Sequence, residues 1–106
     1  MQLILASTSR YRQNLLKRLS LPFICVTPDV DEAIVAGETA SARASRLAYL
    51  KAASVMPDET APFALVIGSD LVACLDDQIL RKPGTADRAV AQLAQSSGKR
   101  IRFWTG

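Results

Sequence analysis

Apolar residues along this chain come in two kinds of run. Short unbroken runs bounded by turn-forming residues read as buried strands. Met1-Gln2-Leu3-Ile4-Leu5-Ala6 is the first, expected to lie inside a sheet and away from its edges. Leu21-Pro22-Phe23-Ile24-Cys25-Val26 is the second, with its proline at the start, where it costs no ladder bond. Ala64-Leu65-Val66-Ile67 is the third; Leu71 to Leu75 and Ile79-Leu80, joined by the Asp76-Asp77-Gln78 turn, make a hairpin, and Lys99 to Trp104 is the last strand. Between them apolar residues recur at helical spacing. Leu15, Leu16 and Leu19 do so over Gln13 to Leu19. Ala40, Ala44, Leu47, Ala48 and Val55 share a stripe from Ala40 to Val55, and Ala86, Val90, Leu93 and Ala94 form the apolar face of Ala86 to Gln95. Hydroxyl residues stand at each helix start: the serines at 7 and 9, Thr39 or Ser41, and Thr85. Met56 to Phe63, with its two prolines, reads as a connecting loop. This alternation predicts a single α/β domain with an elongated, mixed sheet flanked by helices.

The polar residues that punctuate these elements supply the candidate chemistry. Gly68-Ser69-Asp70 ends the third strand, and in open α/β sheets ligands collect beyond the carboxyl ends of strands, which would put Asp70 at a cleft rim. The same three residues also make an ordinary strand-ending turn. Ser7-Thr8-Ser9-Arg10-Tyr11-Arg12 joins a strand to a helix start, whose amides favour negative charge and whose arginines offer forked donors. A well-capped helix with solvated arginines is the plainer alternative. Pro28-Asp29-Val30-Asp31-Glu32 is an acidic loop, either solvated or oxygen-rich enough for a hard divalent cation. Lys51 interrupts the apolar stripe of the long helix, and either snorkels outward or aims into a cleft. Arg81-Lys82 places two more cations ahead of the Pro83-Gly84-Thr85 turn.

Composition narrows the chemistry. The 106 residues are 49% hydrophobic and 22% charged, which suits one globular domain with a modest core. No apolar run approaches membrane-spanning length, and the first strand lacks the basic start of a signal peptide. There is no histidine, so acid–base work would fall to carboxylates and lysine, with or without a metal. Cys25 and Cys74 sit in apolar segments and are expected to be buried, reduced thiols, as in a cytoplasmic protein. The net charge of +3 fits an anionic ligand, while the dispersed basic residues and 6% aromatic content argue against a nucleic-acid module. Neither the phosphate-loop nor the dinucleotide fingerprint occurs.

Taken in order, Ser7, Ser9 and Arg12 in Leu3-Ile4-Leu5-Ala6-Ser7-Thr8-Ser9-Arg10-Tyr11-Arg12 resemble the S-x-S-x-x-R signature of the Maf family of nucleotide pyrophosphatases. Asp31-Glu32, Lys51, Ile67-Gly68-Ser69-Asp70, Lys82-Pro83, Ser97-Gly98 and Thr105-Gly106 are similar to its further landmarks, in sequence order. The likeness covers the whole chain and corresponds to about the N-terminal half of a family member. It implies hydrolysis of a nucleoside triphosphate to the monophosphate and pyrophosphate with a divalent cation, magnesium or manganese. By that likeness Asp70 is the catalytic carboxylate, Ser7, Ser9, Arg12, Lys51 and Lys82 bind the phosphates, and Glu32 with Asp70 holds the metal. Gly-Ser-Asp with an aromatic at Tyr11 resembles the branch acting on 7-methyl-GTP, whose cationic base an aromatic ring could stack on. Leu71 stands where that branch has glutamine, and cannot hydrogen-bond a base edge. Arg10 stands where a proline is usual, which touches only the helix entry.

The rival to the enzyme is a nucleotide-binding regulatory protein without turnover, of the kind the family's association with septum formation suggests. Thr105-Gly106 follows the last strand directly, as expected of a fragment whose fold continues elsewhere. Such a chain would form one wall of the phosphate site, turn over poorly, and expose apolar surface and a free strand edge that promote self-association or a homodimer.

Overall fold

A computed structural model describes residues 1–55, 63–81 and 83–106. Among the described residues, six strands and three helices follow one another as β1 (Gln2–Ala6), α1 (Arg10–Lys17), β2 (Ile24–Val26), α2 (Ala40–Ser54), β3 (Ala64–Gly68), β4 (Leu71–Leu75), β5 (Gln78–Leu80), α3 (Ala86–Ser96) and β6 (Ile101–Thr105). The strands form two separate sheets rather than one: a parallel sheet in the order β2-β1-β3 and an antiparallel sheet in the order β5-β4-β6. Only Ser69 and Asp70 separate β3 from β4, so the chain passes from one sheet to the other at that point. The molecule is elongated, about 50 × 30 × 22 Å.

β1 is central, as its apolar run predicts, and residues 3 to 6 are all buried although successive side chains point to opposite faces. Ile4 and Ala6 pack with Val55, and Val26, Ala64 and Val66 close around them. α2 lies against the strands through Ala44, Leu47 and Ala48. Its small side chains allow close approach: a Cβ added at Gly68 would stand 2.2 Å from the Ala48 carbonyl oxygen and 2.6 Å from the Ala52 nitrogen. The glycine that ends β3 is therefore there for space, and what approaches it is the chain's own helix.

Several expectations are corrected. β2 is shorter than the run from Leu21, because Pro22 has no N–H and ladder pairing with β1 begins only at Ile24. β2 is also an outer strand, so Cys25 is exposed rather than buried; Cys74, on the central β4, is buried. α1 starts at Arg10, capped by Ser9, and ends before Leu19, where Ser20 turns to positive φ ahead of Pro22. The apolar face of α3 is turned to solvent, with Val90 66% and Leu93 72% exposed. That helix is instead tied to the hairpin by side-chain amides, Gln92 Nε2 donating to the Arg81 carbonyl (2.8 Å) and Gln95 Nε2 to Gln78 Oε1 (3.0 Å). The loop expected over Met56 to Phe63 lies, up to residue 62, outside the described residues. No helix among the described residues is long and apolar enough to cross a membrane.

One ion pair braces the approach to α2. Arg46 donates from Nε to Glu38 Oε2 (2.5 Å) and from Nη2 to Oε1 (2.9 Å), a forked pair. The hydrogen bonds from Arg46 hold the Glu38 carboxyl below its usual value of 4.5. Because the folded value is depressed, the contribution to stability is complete above the unfolded value and is lost as pH falls through the folded one. Glu38→Gln should thus lower the urea midpoint at about pH 6 and leave it close to that of the parent at about pH 3. An equal deficit at both pH values would show that the carboxylate's charge is not what matters.

Candidate active site

The three parallel strands end on the same side, and each hands its next residues to one cleft: Ser7 after β1, Thr27 after β2, Asp70 after β3. The cleft measures about 1020 Å³. Ser7 is buried, and its Oγ accepts the Ser9 N–H at 3.0 Å; Ser9 Oγ in turn accepts the Arg12 N–H at 3.3 Å and caps α1. Both hydroxyls are used as acceptors here, so each retains its O–H to donate to an anion. Arg12, in the first turn of α1, lines the same cleft.

Asp70 is 7% exposed and held from two directions. Its backbone exchanges hydrogen bonds with Gly106, accepting from the Gly106 N–H at 2.9 Å and donating to the Gly106 carbonyl at 3.2 Å, and the Ser69 hydroxyl donates to that same carbonyl at 2.8 Å. Its Oδ1 accepts from Lys51 Nζ at 2.7 Å. Lys51 thus aims inward from the α2 stripe, and its ammonium also lies 3.2 Å from Glu32 Oε1. Both members of the Lys51–Asp70 pair are largely buried.

The described residues lining the cleft include five cationic side chains (Arg12, Arg43, Lys51, Arg81 and Arg88) against the two carboxylates Glu32 and Asp70. Such a surface selects for multiply charged anions. Leu71 also lines the cleft, offering an apolar contact. Tyr11 does not: it is 72% exposed on α1 and absent from the cleft wall. Lys82 lies outside the described residues. Arg43 was not singled out by sequence, although it stands four residues before Leu47 and eight before Lys51 and so shares their face of α2. It is 7% exposed and donates to the carbonyls of Glu32 and Ala33.

Among the described residues no group of three or more carboxylate, thiol or imidazole side chains gathers as a metal cage. The donor set does fit a hard divalent cation in the manner of phosphate-processing sites. Glu32 and Asp70 both reach one cation, the Lys51 ammonium, and such ions are commonly held by one or two carboxylates with water and substrate oxygens completing the shell.

Residues 2–106 match the family described as Maf-like protein. Among curated relatives, the 7-methyl-GTP pyrophosphatase of Xanthomonas axonopodis pv. citri is 57% identical over 104 residues, covering 98% of this chain and 54% of the relative. The protein of that name from Burkholderia orbicola is 52% identical over 103 residues, covering 96% and 49%. That from Vibrio cholerae serotype O1 is 50% identical over 105 residues, covering 99% and 53%. The chain spans about half the length of the curated relatives it matches.

Proposed function

The chain belongs to the Maf-like family, and on that basis we propose that its cleft takes a nucleoside triphosphate, 7-methyl-GTP foremost, and hydrolyses it to the monophosphate and pyrophosphate. The observation that carries the proposal is the convergence of Glu32 and Asp70 on Lys51, in a cleft whose other charged side chains, among the described residues, are all cations. Ser7, Ser9 and Arg12 bind phosphate oxygens at the α1 N-terminus, with Lys82 expected to assist. Lys51 neutralises charge on the phosphates and holds Oδ1 of Asp70, which leaves Oδ2 to accept a proton from the attacking water. The water's oxygen bonds to the α-phosphorus, and the bond to the bridging oxygen breaks, releasing pyrophosphate. Glu32 and Asp70 would hold the divalent cation, which when bound supplies charge neutralisation and a more acidic water. Cys25 and Cys74 are free thiols, which suits a reducing compartment such as the cytoplasm.

The test is pyrophosphate release from a nucleotide panel with magnesium or manganese. It is run on this chain and on a chimera extending it with the remainder of the Xanthomonas axonopodis relative. Release from 7-methyl-GTP above GTP, dTTP and UTP is expected. Binding without release in both proteins would favour a regulatory nucleotide-binding role instead.

Tyr11 is proposed to contact the base from the rim, not from within the cleft. Being exposed, its stacking on a cationic base is worth about 0.5–1 kcal/mol, or roughly a two- to fivefold change in affinity. Tyr11→Ala should weaken 7-methyl-GTP by that factor and GTP by less. Equal losses for both nucleotides would assign the ring to packing on α1.

Val90 and Leu93 on α3 and Phe103 and Trp104 on β6 are exposed apolar side chains, and the chain by itself is expected to self-associate. A monomer in sedimentation velocity across a wide concentration range would remove that expectation.

A further inference from the structure

Glu32 reaches the cleft from a stretch, between β2 and α2, that has no helix or strand of its own. A side chain on such a stretch keeps its place only where its backbone is held. Among the described residues, the backbone hydrogen bonds of its neighbours do not hold it, and the Glu38–Arg46 pair fastens the stretch at its end beside α2. The Ala33 N–H donates to Asp31 Oδ1 (2.9 Å) and the Glu38 N–H to the Val35 carbonyl (3.2 Å), both within the stretch, while the Asp29 N–H donates to the Ser54 hydroxyl (3.3 Å) near its start. Among the described residues, the hydrogen bonds that tie the Glu32 backbone to the body of the chain come from Arg43. Its Nη2 donates to the Glu32 carbonyl at 2.7 Å and its Nη1 to the Ala33 carbonyl at 3.2 Å. At 7% exposure it is buried to a degree arginine seldom reaches, and the partners it finds there are successive main-chain carbonyls. Arg43 and Lys51 stand on one face of α2, so one cation holds the Glu32 backbone and the other meets the Glu32 carboxylate.

We infer that Arg43 is a positioning residue: by clamping the Glu32 and Ala33 carbonyls it sets where the Glu32 carboxylate stands against Lys51 and Asp70. The inference rests on the cleft's proposed role as a nucleotide site, but the geometry it concerns is independent of turnover. The planar fork of the guanidinium is what lets one side chain serve two adjacent carbonyls, and an ammonium on a flexible stem lacks that fork. Arg43→Lys is therefore a partial substitute and Arg43→Met none.

Four variants test it: Arg43→Met, Arg43→Lys, Glu32→Gln and the double variant Arg43→Met with Glu32→Gln. The first readout needs no turnover. It is the rate at which an amine-acylating reagent modifies Lys51 in the folded chain, measured by peptide mass spectrometry below each variant's unfolding midpoint. Arg43→Met and Glu32→Gln are each expected to raise that rate by about threefold or more, Arg43→Lys by less, and the double variant by no more than either single change. Should Arg43→Met fail to fold, the ordering of parent, Arg43→Lys and Glu32→Gln carries the same comparison. The second readout is pyrophosphate release by the chimera, where Arg43→Met should lower kcat by about 10- to 100-fold with a smaller change in KM, again not additive with Glu32→Gln. A Lys51 rate unchanged by both Arg43 variants, or effects that multiply in the double variant, would overturn the inference. A parent chimera that releases no pyrophosphate would instead overturn the proposed function, with the Lys51 measurement still deciding the role of Arg43.

Discussion

Asp70→Asn should lower pyrophosphate release by the chimera at least about 100-fold while leaving nucleotide binding largely in place. The substitution keeps the shape of the side chain, and the new amide oxygen can still accept from Lys51, so the contact that orients the ammonium is retained in form. What disappears is a group able to take a proton and an anionic ligand for a cation. The cationic wall formed by Arg12, Lys51 and their neighbours is untouched, and the proposed phosphate binding rests on it. Isothermal titration with a non-hydrolysable 7-methyl-GTP analogue, run beside the turnover assay, separates the two effects. Turnover within a few-fold of the parent would remove Asp70 from the chemistry, and a parallel collapse of binding would make it a structural anchor instead. The latter is a real alternative in physical terms, since Asp70 is buried and its backbone pairs with Gly106.

A second large effect is expected at Gly68, and here it is the fold that suffers. Any side chain at this position meets backbone: the Ala48 carbonyl oxygen at 2.2 Å and the Ala52 nitrogen at 2.6 Å from an ideal Cβ. Backbone atoms of a helix cannot swing aside as a flexible side chain can, so α2 as a whole must retreat. Gly68→Ala should cost about 3 kcal/mol, at the upper end for overpacking, and Gly68→Val more. For a domain of this size each kcal/mol lowers the thermal midpoint by roughly 4–8 °C, so a drop beyond about 10 °C is expected by circular dichroism. A midpoint within about 2 °C of the parent would mean that α2 does not pack on β3 as described. The retreat of α2 also carries Lys51 away from Asp70, so whatever Gly68→Ala protein remains folded should turn over slowly even well below its midpoint. Loss of about 1 Å in placement is enough for a loss of roughly a hundredfold.

Much of the architecture was written locally. The unbroken apolar runs at residues 3–6, 64–67 and 71–75 became strands, and Ser9, Thr39 and Thr85 became caps, because backbone propensity and capping act over a few residues. The likeness to the Maf family was legible for the same reason, as a set of short motifs in fixed order, and the family match over residues 2–106 agrees with it. Helical spacing also marked the right face of α2 but could not say where Lys51 aims. That depended on Asp70, nineteen residues away, being brought beneath it by the close packing of α2 on Gly68. Nor could spacing show that Arg43 is buried, since its partners are main-chain carbonyls, which leave no trace in residue identity. The same limit explains α3. Periodicity grouped Val90 with Leu93, yet both are exposed, and the side chains that reach the hairpin are Gln92 and Gln95. Periodicity is a property of one segment, whereas covering a face or completing a site requires a second segment, and only tertiary packing selects which one arrives.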